Sequence, residues 1–175
     1  NPEHERALAA ALRAALPGVA ISLSSAIAPI AGEYERTSTV AADAFTKRSV
    51  GAYLGALTDA LQASGGSAPL HLTLSSGEIA STATAMEYPI RLLESGPAVG
   101  ALAAAHWGRR LGTRDLMAFD MGGTTAKVCL IHDGAPTLAR SFEVARVHRH
   151  QRGSGMTMRV PVVELLEIGA GGGSI

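Results

Sequence analysis

Two apolar stretches separated by a glycine pair follow one another between residues 116 and 131, and this order constrains the fold more than any other feature. Leu116–Phe119 (LMAF) predicts a buried strand, and Ala126–Ile131 predicts a second strand. The hexapeptide Asp120–Thr125 (DMGGTT) connects them, because two glycines allow a tight turn. Asp133–Gly134 after the second strand is a strong hairpin signal. We therefore expect adjacent strands joined by a glycine loop.

The hexapeptide carries residue types that suit phosphate and magnesium. Backbone N–H groups around Gly122 and Gly123 can converge on an anion with no Cβ in the way, and Thr124 and Thr125 add hydroxyl donors. Asp120 ends the first strand, so its carboxylate can hold Mg²⁺ at the mouth of the loop, through water. The pattern is neither a Walker P-loop nor a Rossmann fingerprint, because a strand follows the turn. A Gly-Gly β-hairpin with a capping Asp is the structural alternative.

Helical and strand patterns alternate along the rest of the chain. A helix begins at Asn1–Pro2, where Asn can cap the first turn and Pro fits the first helical position. A longer helical pattern runs from about Glu35 to Ala63, and short strands are predicted at Val19–Leu23 and Leu70–Leu74. This alternation predicts an α/β architecture.

A helix of small residues precedes the first strand of the hairpin. It begins near Leu93–Ala98 (LESGPA), where Ser95 is the candidate cap, and Gly112 ends it. Small side chains let such a helix lie close to other backbone. Its N-terminus can also face phosphate, since the helix dipole favours anions there.

The composition excludes several classes of protein. Of the 175 residues, 47% are hydrophobic, which is too many for a disordered chain, and 15 Lys and Arg balance 15 Asp and Glu, which argues against a nucleic-acid partner. Neither a run long enough to span a membrane nor a secretory signal is present. Cys129 is the single cysteine, so a reducing, cytoplasmic compartment is expected. We interpret the chain, which begins at Asn1, as a fragment of a longer protein.

Three further sets of residues are candidates for the same site. Lys127 shares a strand face with Thr125 and could reach a phosphate oxygen, although a solvated strand residue is the alternative. Glu164 and Glu167 lie nearest the C-terminal glycine run, and either could be a general base. The glycine run is either a second backbone nest or a tight connection, and it contributes Gly171, Gly172 and Gly173.

Two cationic features have an ordinary explanation beside a functional one. His148 and His150 would share a strand face as a possible metal pair, but a surface loop is the alternative. The segment Arg140–Arg159 is rich in arginine and could approach an anionic substrate or a partner subunit, or it could be solvated.

Five ordered motifs give the whole chain a resemblance to a known family. They are Asn1–Glu5 (NPEHE), Gly32–Thr39 (GEYERTST), Leu93–Ala98, Phe119–Thr125 (FDMGGTT) and Ile168–Ile175 (IGAGGGSI). Together they resemble the hydantoinase A family, which contains the ATP-using subunits of N-methylhydantoinase, 5-oxoprolinase, and acetone and acetophenone carboxylases. Many members have Asp where this chain has Lys127, so the role of that Asp is not carried over.

The resemblance implies part of an actin-like ATPase (ribonuclease H-like) fold, with Asp120–Thr125 as its second phosphate loop. Residues 1–93 would finish the first half of that fold, 94–112 would form the connecting helix, and 113–175 would begin the second half. A first phosphate loop is expected earlier in the complete protein, so this fragment alone should be inactive.

The resemblance also implies a function. ATP, with Mg²⁺ or Mn²⁺, would activate a cyclic amide of the hydantoin or 5-oxoproline type for hydrolysis, with Asp120 as the catalytic and metal-binding residue. Carboxylation of an acetone- or acetophenone-type ketone is the alternative within the family, and a non-catalytic nucleotide switch is the alternative outside it. A hydantoinase B-type subunit or domain is the expected partner. The expected nucleotide-binding residues are Ser95, Gly122, Gly123, Thr124, Thr125, Lys127, Gly171, Gly172 and Gly173.

Overall fold

The computed structural model describes residues 1–148 and 153–173, and the chain divides into two compact units. The first unit comprises Asn1–Leu72, Ala80–Ile90 and Ser141–Val160; the second comprises Thr73–Ile79, Arg91–Arg140 and Pro161–Ile175. Segments of the two units alternate along the chain. The division at 93 and 112 remains a prediction.

The first unit is mainly helical. Asn1 caps its first helix as predicted, because the Asn1 side-chain oxygen accepts a hydrogen bond from the Glu3 amide at 3.0 Å. The predicted strand at Val19–Leu23 is not formed, since a strand needs a neighbour and no described strand pairs with this segment. The helices of this unit are α1 (Pro2–Ala15), α2 (Ser24–Ile27), α3 (Glu33–Ala63) and α4 (Thr82–Glu87).

Polar side chains inside the first unit are buried with their partners. The fully buried Asp43 of α3 accepts hydrogen bonds from the Ser22 hydroxyl at 2.6 Å and from the Ile90 amide at 3.2 Å. Lys47 lies 3.6 Å from the same carboxylate. A buried carboxylate is costly without such partners, so this network holds α3 to its neighbours.

The second unit is built on a small antiparallel sheet. Its strands β3 (Leu116–Met121), β4 (Ala126–His132) and β10 (Leu166–Ile168) lie in the order β10–β4–β3, and β5 (Ala135–Pro136) pairs with the end of β4. The Asp133–Gly134 signal is confirmed, because both residues have positive φ (51° and 76°) in the two-residue turn between β4 and β5. The other elements of this unit are α5 (Ser95–Arg110), β6 (Leu138–Ala139) and β9 (Val162–Val163), and the 3₁₀ helix Pro89–Leu92 has residues in both units.

Three further pairings complete the described strands. The predicted strand around Leu72 is formed as β1 (His71–Thr73), which pairs with β2 (Ile79–Ser81). β6 pairs with β9, and in the first unit β7 (Phe142–Val144) pairs antiparallel with β8 (Met156–Met158). None of the helices in the described part of the chain is long and apolar enough to cross a membrane.

Helix α5 packs closely on one face of the sheet. Ala98 and Ala101 of α5 form a buried cluster with Cys129 and Val163, and Ala118 packs against it. The prediction that small residues allow a close approach is therefore confirmed.

The opposite face of strand β3 is exposed, so the prediction of a fully buried strand is wrong. The side chains of Met117 and Phe119 are 62% and 63% exposed, whereas Leu116 and Ala118 are half-buried. Side chains of a strand alternate between its two faces, and α5 covers only one of them.

Candidate functional site

The predicted strand–loop–strand is formed at one end of the sheet. β3 and β4 are antiparallel, with Asp120 opposite Lys127 and Met121 opposite Ala126. The Gly122 amide donates a hydrogen bond to the Thr125 carbonyl oxygen at 2.9 Å, which closes the turn. That amide is consequently engaged within the loop.

The backbone angles of this loop do not require glycine at its two glycine positions. Neither Gly122 nor Gly123 has a positive φ. A Cβ built on Gly123 would meet no heavy atom within 4 Å, and one on Gly122 would meet only the Thr125 carbonyl oxygen at 3.7 Å. Because neither strain nor packing demands glycine at position 123, the open side of the loop can admit an external group close to the backbone.

The second glycine run lies directly against the loop. The amides of Gly172 and Gly173 donate hydrogen bonds to the carbonyl oxygens of Gly122 and Gly123, at 3.0 and 2.8 Å. Gly171 is buried, and a Cβ on it would lie 2.5 Å from the Gly123 carbonyl oxygen. This run therefore supports the loop by backbone contact, and its own ligand binding stays a prediction.

Asp120, Thr124 and Thr125 flank the two glycines of the loop. Asp120 and Thr124 are exposed and Thr125 is half-buried. Within residues 1–148 and 153–173, the Asp120 carboxylate has neither a hydrogen bond nor an ion pair. A cleft of about 480 Å³ opens beside Asp120 and Lys127 and is lined on its helical side by Gly96, Gly100 and Ala104.

Lys127 is engaged with carboxylates rather than solvated. Its ammonium forms an ion pair with the Glu94 carboxylate, and Glu167 Oε1 lies 4.0 Å away. The Lys127 side chain is only 17% exposed. The alternative of a solvated strand residue is therefore wrong, the described partner is Glu94, and contact of Lys127 with phosphate stays a prediction.

The predicted cap of α5 is also wrong. Ser95 is the first residue of the helix, and Glu94 occupies the N-cap position without a side-chain capping hydrogen bond. Glu94 has φ 66° and ψ 15°, a left-handed conformation that is uncommon for residues other than glycine. The sequence offered no local signal for the Glu94–Lys127 pair, because its members are 33 residues apart.

The remaining candidate residues are not brought together as a second site in the part of the chain that the structure describes. Glu164 is exposed, and Glu167 lies opposite Lys127 across β10 and β4. His148 is exposed, with its amide bonded to the Ser154 hydroxyl at 3.3 Å, and His150 lies outside the described residues. No group of three or more metal-ligating side chains occurs in the part of the chain that the structure describes.

The arginine-rich segment is partly neutralised. Arg146 Nε bonds Glu143 at 3.0 Å, and Arg159 Nε bonds Glu35 at 2.7 Å. An open cationic patch for an anionic substrate is therefore not formed by these two residues. Cys129, by contrast, is a small core residue as expected, and burial raises the pKa of its thiol.

Comparison with known proteins identifies the family that has this fold and this glycine loop. The chain belongs to the hydantoinase/oxoprolinase family, whose sequence model matches residues 36–175. The family predicted from the five motifs is thereby confirmed.

Three relatives are similar along the whole chain. An uncharacterised protein of Methanocaldococcus jannaschii is 38% identical and matches 100% of this chain and 26% of its own length. The caprolactamase subunit alpha of Pseudomonas jessenii is 29% identical, and the acetophenone carboxylase gamma subunit of Aromatoleum aromaticum is 28% identical; each match covers 100% of this chain, and 24% and 23% of the relative. The chain thus spans about a quarter of the length of these relatives.

A solved structure confirms the fold class. The crystal structure of the ATP-dependent caprolactamase from Pseudomonas jessenii superposes with a TM-score of 0.76 at 29% identity, over 100% of this chain and 24% of that one. The mixed α/β architecture is shared, and it is consistent with part of an actin-like ATPase fold.

Proposed function

We propose that the complete protein is an ATP-dependent enzyme that opens a cyclic amide of the hydantoin, 5-oxoproline or lactam type. The observation that carries this proposal is the loop at Gly123, which is open to an external group, together with the Asp120 carboxylate beside it, which has no partner among the residues that the structure describes. Membership of the hydantoinase/oxoprolinase family and the 29% identity to a caprolactamase subunit support the reaction class.

The residues of the loop fit a polyphosphate. Gly123 leaves space where a Cβ would stand, and Thr124 and Thr125, which follow it in the chain, would add their hydroxyls as donors. The Gly171–Gly173 run fixes the loop from its other side through two backbone hydrogen bonds. Positioning of this kind supplies most of the catalysis in phosphoryl transfer.

A magnesium ion fits beside Asp120. Mg²⁺ is usually bound through one or two carboxylates together with water and phosphate oxygens, so a single free carboxylate near a phosphate loop is sufficient on the protein side. When bound, ATP would supply the phosphoryl group that turns an amide oxygen into a leaving group. Asp120 would hold the cation near the loop, and Gly122, Gly123, Thr124 and Thr125 would orient the phosphates.

Ser95 and Lys127 take different roles in this proposal. Ser95 lies at the first turn of α5, where a helix N-terminus favours anions. Lys127 is paired with Glu94, so its reach to phosphate is not assumed. The remaining nucleotide contacts, including the first phosphate loop, would come from the rest of the protein.

ATP-dependent carboxylation of a ketone is a second candidate, favoured by the 28% identity to an acetophenone carboxylase subunit. The same activation of a carbonyl oxygen would serve both reactions. Since these two relatives are named as subunits alpha and gamma, we propose a partner subunit or domain of hydantoinase B type.

Phosphate release by the complete protein tests the proposal. The protein, with its partner subunit, is assayed with Mg·ATP and hydantoin, 5-oxoproline or ε-caprolactam, and separately with acetophenone and bicarbonate. Stimulation by a cyclic amide supports the proposal, whereas stimulation only by the ketone supports the second candidate. ATP binding without stimulation by any of these compounds would indicate a nucleotide switch.

A further inference from the structure

We propose that Glu94 is a positioning residue: by holding the Lys127 ammonium, it keeps the Asp120 carboxylate unpaired and available to a divalent cation. This inference rests on the proposed function, because the cation is the one that would accompany ATP. It concerns the residues Glu94, Lys127 and Asp120, and no feature of the sequence alone connects the first of them with the other two.

Three carboxylate residues, Glu94, Asp120 and Glu167, neighbour Lys127 at this end of the sheet. Lys127 lies on the middle strand β4, directly opposite Asp120 on β3 and Glu167 on β10. Side chains directly opposite each other in antiparallel strands project from the same face, with Cβ atoms about 4.5–5.5 Å apart. Asp120 is therefore a natural cross-strand partner for Lys127.

The structure nevertheless pairs Lys127 with Glu94. Glu94 enters from the residue before α5, and its carboxylate binds the ammonium, whereas Glu167 remains at 4.0 Å. The side chains of Lys127 and Glu94 are 17% and 32% exposed, so the pair is shielded from much of the solvent that weakens surface ion pairs. The left-handed backbone of Glu94 is the conformation from which its side chain makes this contact.

The consequence falls on Asp120. An ammonium that pairs with a carboxylate weakens the binding of a cation to the same oxygens, because the two positive charges repel each other. The charges of Glu94 and Lys127 cancel, and the exposed Asp120 keeps its own negative charge with no partner in the described part of the chain. Removing the Glu94 charge should therefore release Lys127 toward Asp120 and weaken cation binding.

Binding of Mn²⁺ to the complete protein tests this directly. Mn²⁺ is titrated in the presence of saturating ADP, and free Mn²⁺ is measured by electron paramagnetic resonance, which does not depend on turnover. In Glu94→Gln the dissociation constant for Mn²⁺ should rise about fivefold, the factor expected when the metal competes with one partly shielded ion pair. Glu167→Gln is the matched control, and it should leave the constant unchanged because Glu94 still holds Lys127.

The double variant Glu94→Gln/Lys127→Met separates this role from simple anchoring of α5. Without the ammonium there is nothing to compete for Asp120, so Mn²⁺ affinity should return to within twofold of the original protein. An equal loss in the single and double variants would overturn the inference, and so would an unchanged affinity in Glu94→Gln. If the original protein bound no Mn²⁺ with ADP or with a non-hydrolysable ATP analogue, the proposed function itself would fail.

Discussion

Replacing Gly123 by Ala is the most direct test of the glycine loop, because it separates the needs of the fold from those of a ligand. The Cβ added at position 123 would meet no heavy atom of the protein within 4 Å, and the backbone there is not in the left-handed region. The substitution should consequently leave the fold intact while filling the space that a phosphate needs.

The substitution should raise the stability of the protein slightly and lower its affinity for nucleotide. Exchange of Gly for Ala at a compatible backbone position stabilises a protein by about 0.4–1 kcal/mol, because the unfolded chain loses freedom. A methyl group in the nest prevents phosphate oxygens from approaching the amides. Loss of two charge-assisted hydrogen bonds between loop amides and phosphate oxygens, at about 1.5–3 kcal/mol each, corresponds to at least a hundredfold loss of affinity for Mg·ATP.

Two measurements on the complete protein check these values. Equilibrium dialysis with Mg·ATP should show the loss of affinity, and thermal unfolding without nucleotide should show an unchanged or slightly raised midpoint. If Gly123→Ala bound Mg·ATP with the original affinity, the loop would not be a phosphate nest.

Gly171→Ala is the matched control, since its Cβ would lie 2.5 Å from the Gly123 carbonyl oxygen and close to the Thr124 amide. Ordinary contact requires roughly 1 Å more than that separation, so the loop must shift. We expect this variant to lose both stability and nucleotide affinity, unlike Gly123→Ala, which loses only affinity.

Three further variants test the site and the two units. Asp120→Asn should lower turnover steeply while the unfolding midpoint stays unchanged, and normal turnover would count against its metal role. Hydrogen bonds from the Ser24 hydroxyl and the Ser25 amide lower the pKa of Glu5 to about 2, so its ionised form stabilises the fold above pH 4.5 and that contribution is lost as the pH falls toward 2. Glu5→Gln should therefore lower the thermal midpoint at pH 6 more than at pH 3; an equal difference at both values would contradict this. Gly108→Ala should destabilise the second unit by about 1–3 kcal/mol in urea unfolding, because its Cβ would lie 2.5 Å from a Leu116 methyl group; the same change at Gly100, where no atom lies within 4 Å, is the control.

Local patterns were sufficient for the elements that depend on near neighbours in the chain. The cap at Asn1, the helix predicted from about Glu35, which begins at Glu33, and the turn at Asp133–Gly134 follow from side chains and backbone angles within a few residues. The strand pair around Asp120–Thr125 was predicted for the same reason. The family could be identified as well, because its motifs are short and lie in order.

Features that depend on distant partners could not be predicted in this way. Val19–Leu23 has the alternation of a strand, but alternation does not supply the neighbouring strand that its hydrogen bonds require. The burial of β3 was overestimated because an apolar run does not reveal that α5 covers only one of its faces.

The amino-acid sequence by itself determined the glycine loop with Asp120 at its edge, since that arrangement needs only residue types in consecutive positions. Tertiary structure alone decided that Gly171 lies against the loop and that Glu94 forms the ion pair with Lys127. Both contacts join segments more than thirty residues apart, and their partners are selected by packing and charge in three dimensions rather than by spacing along the chain.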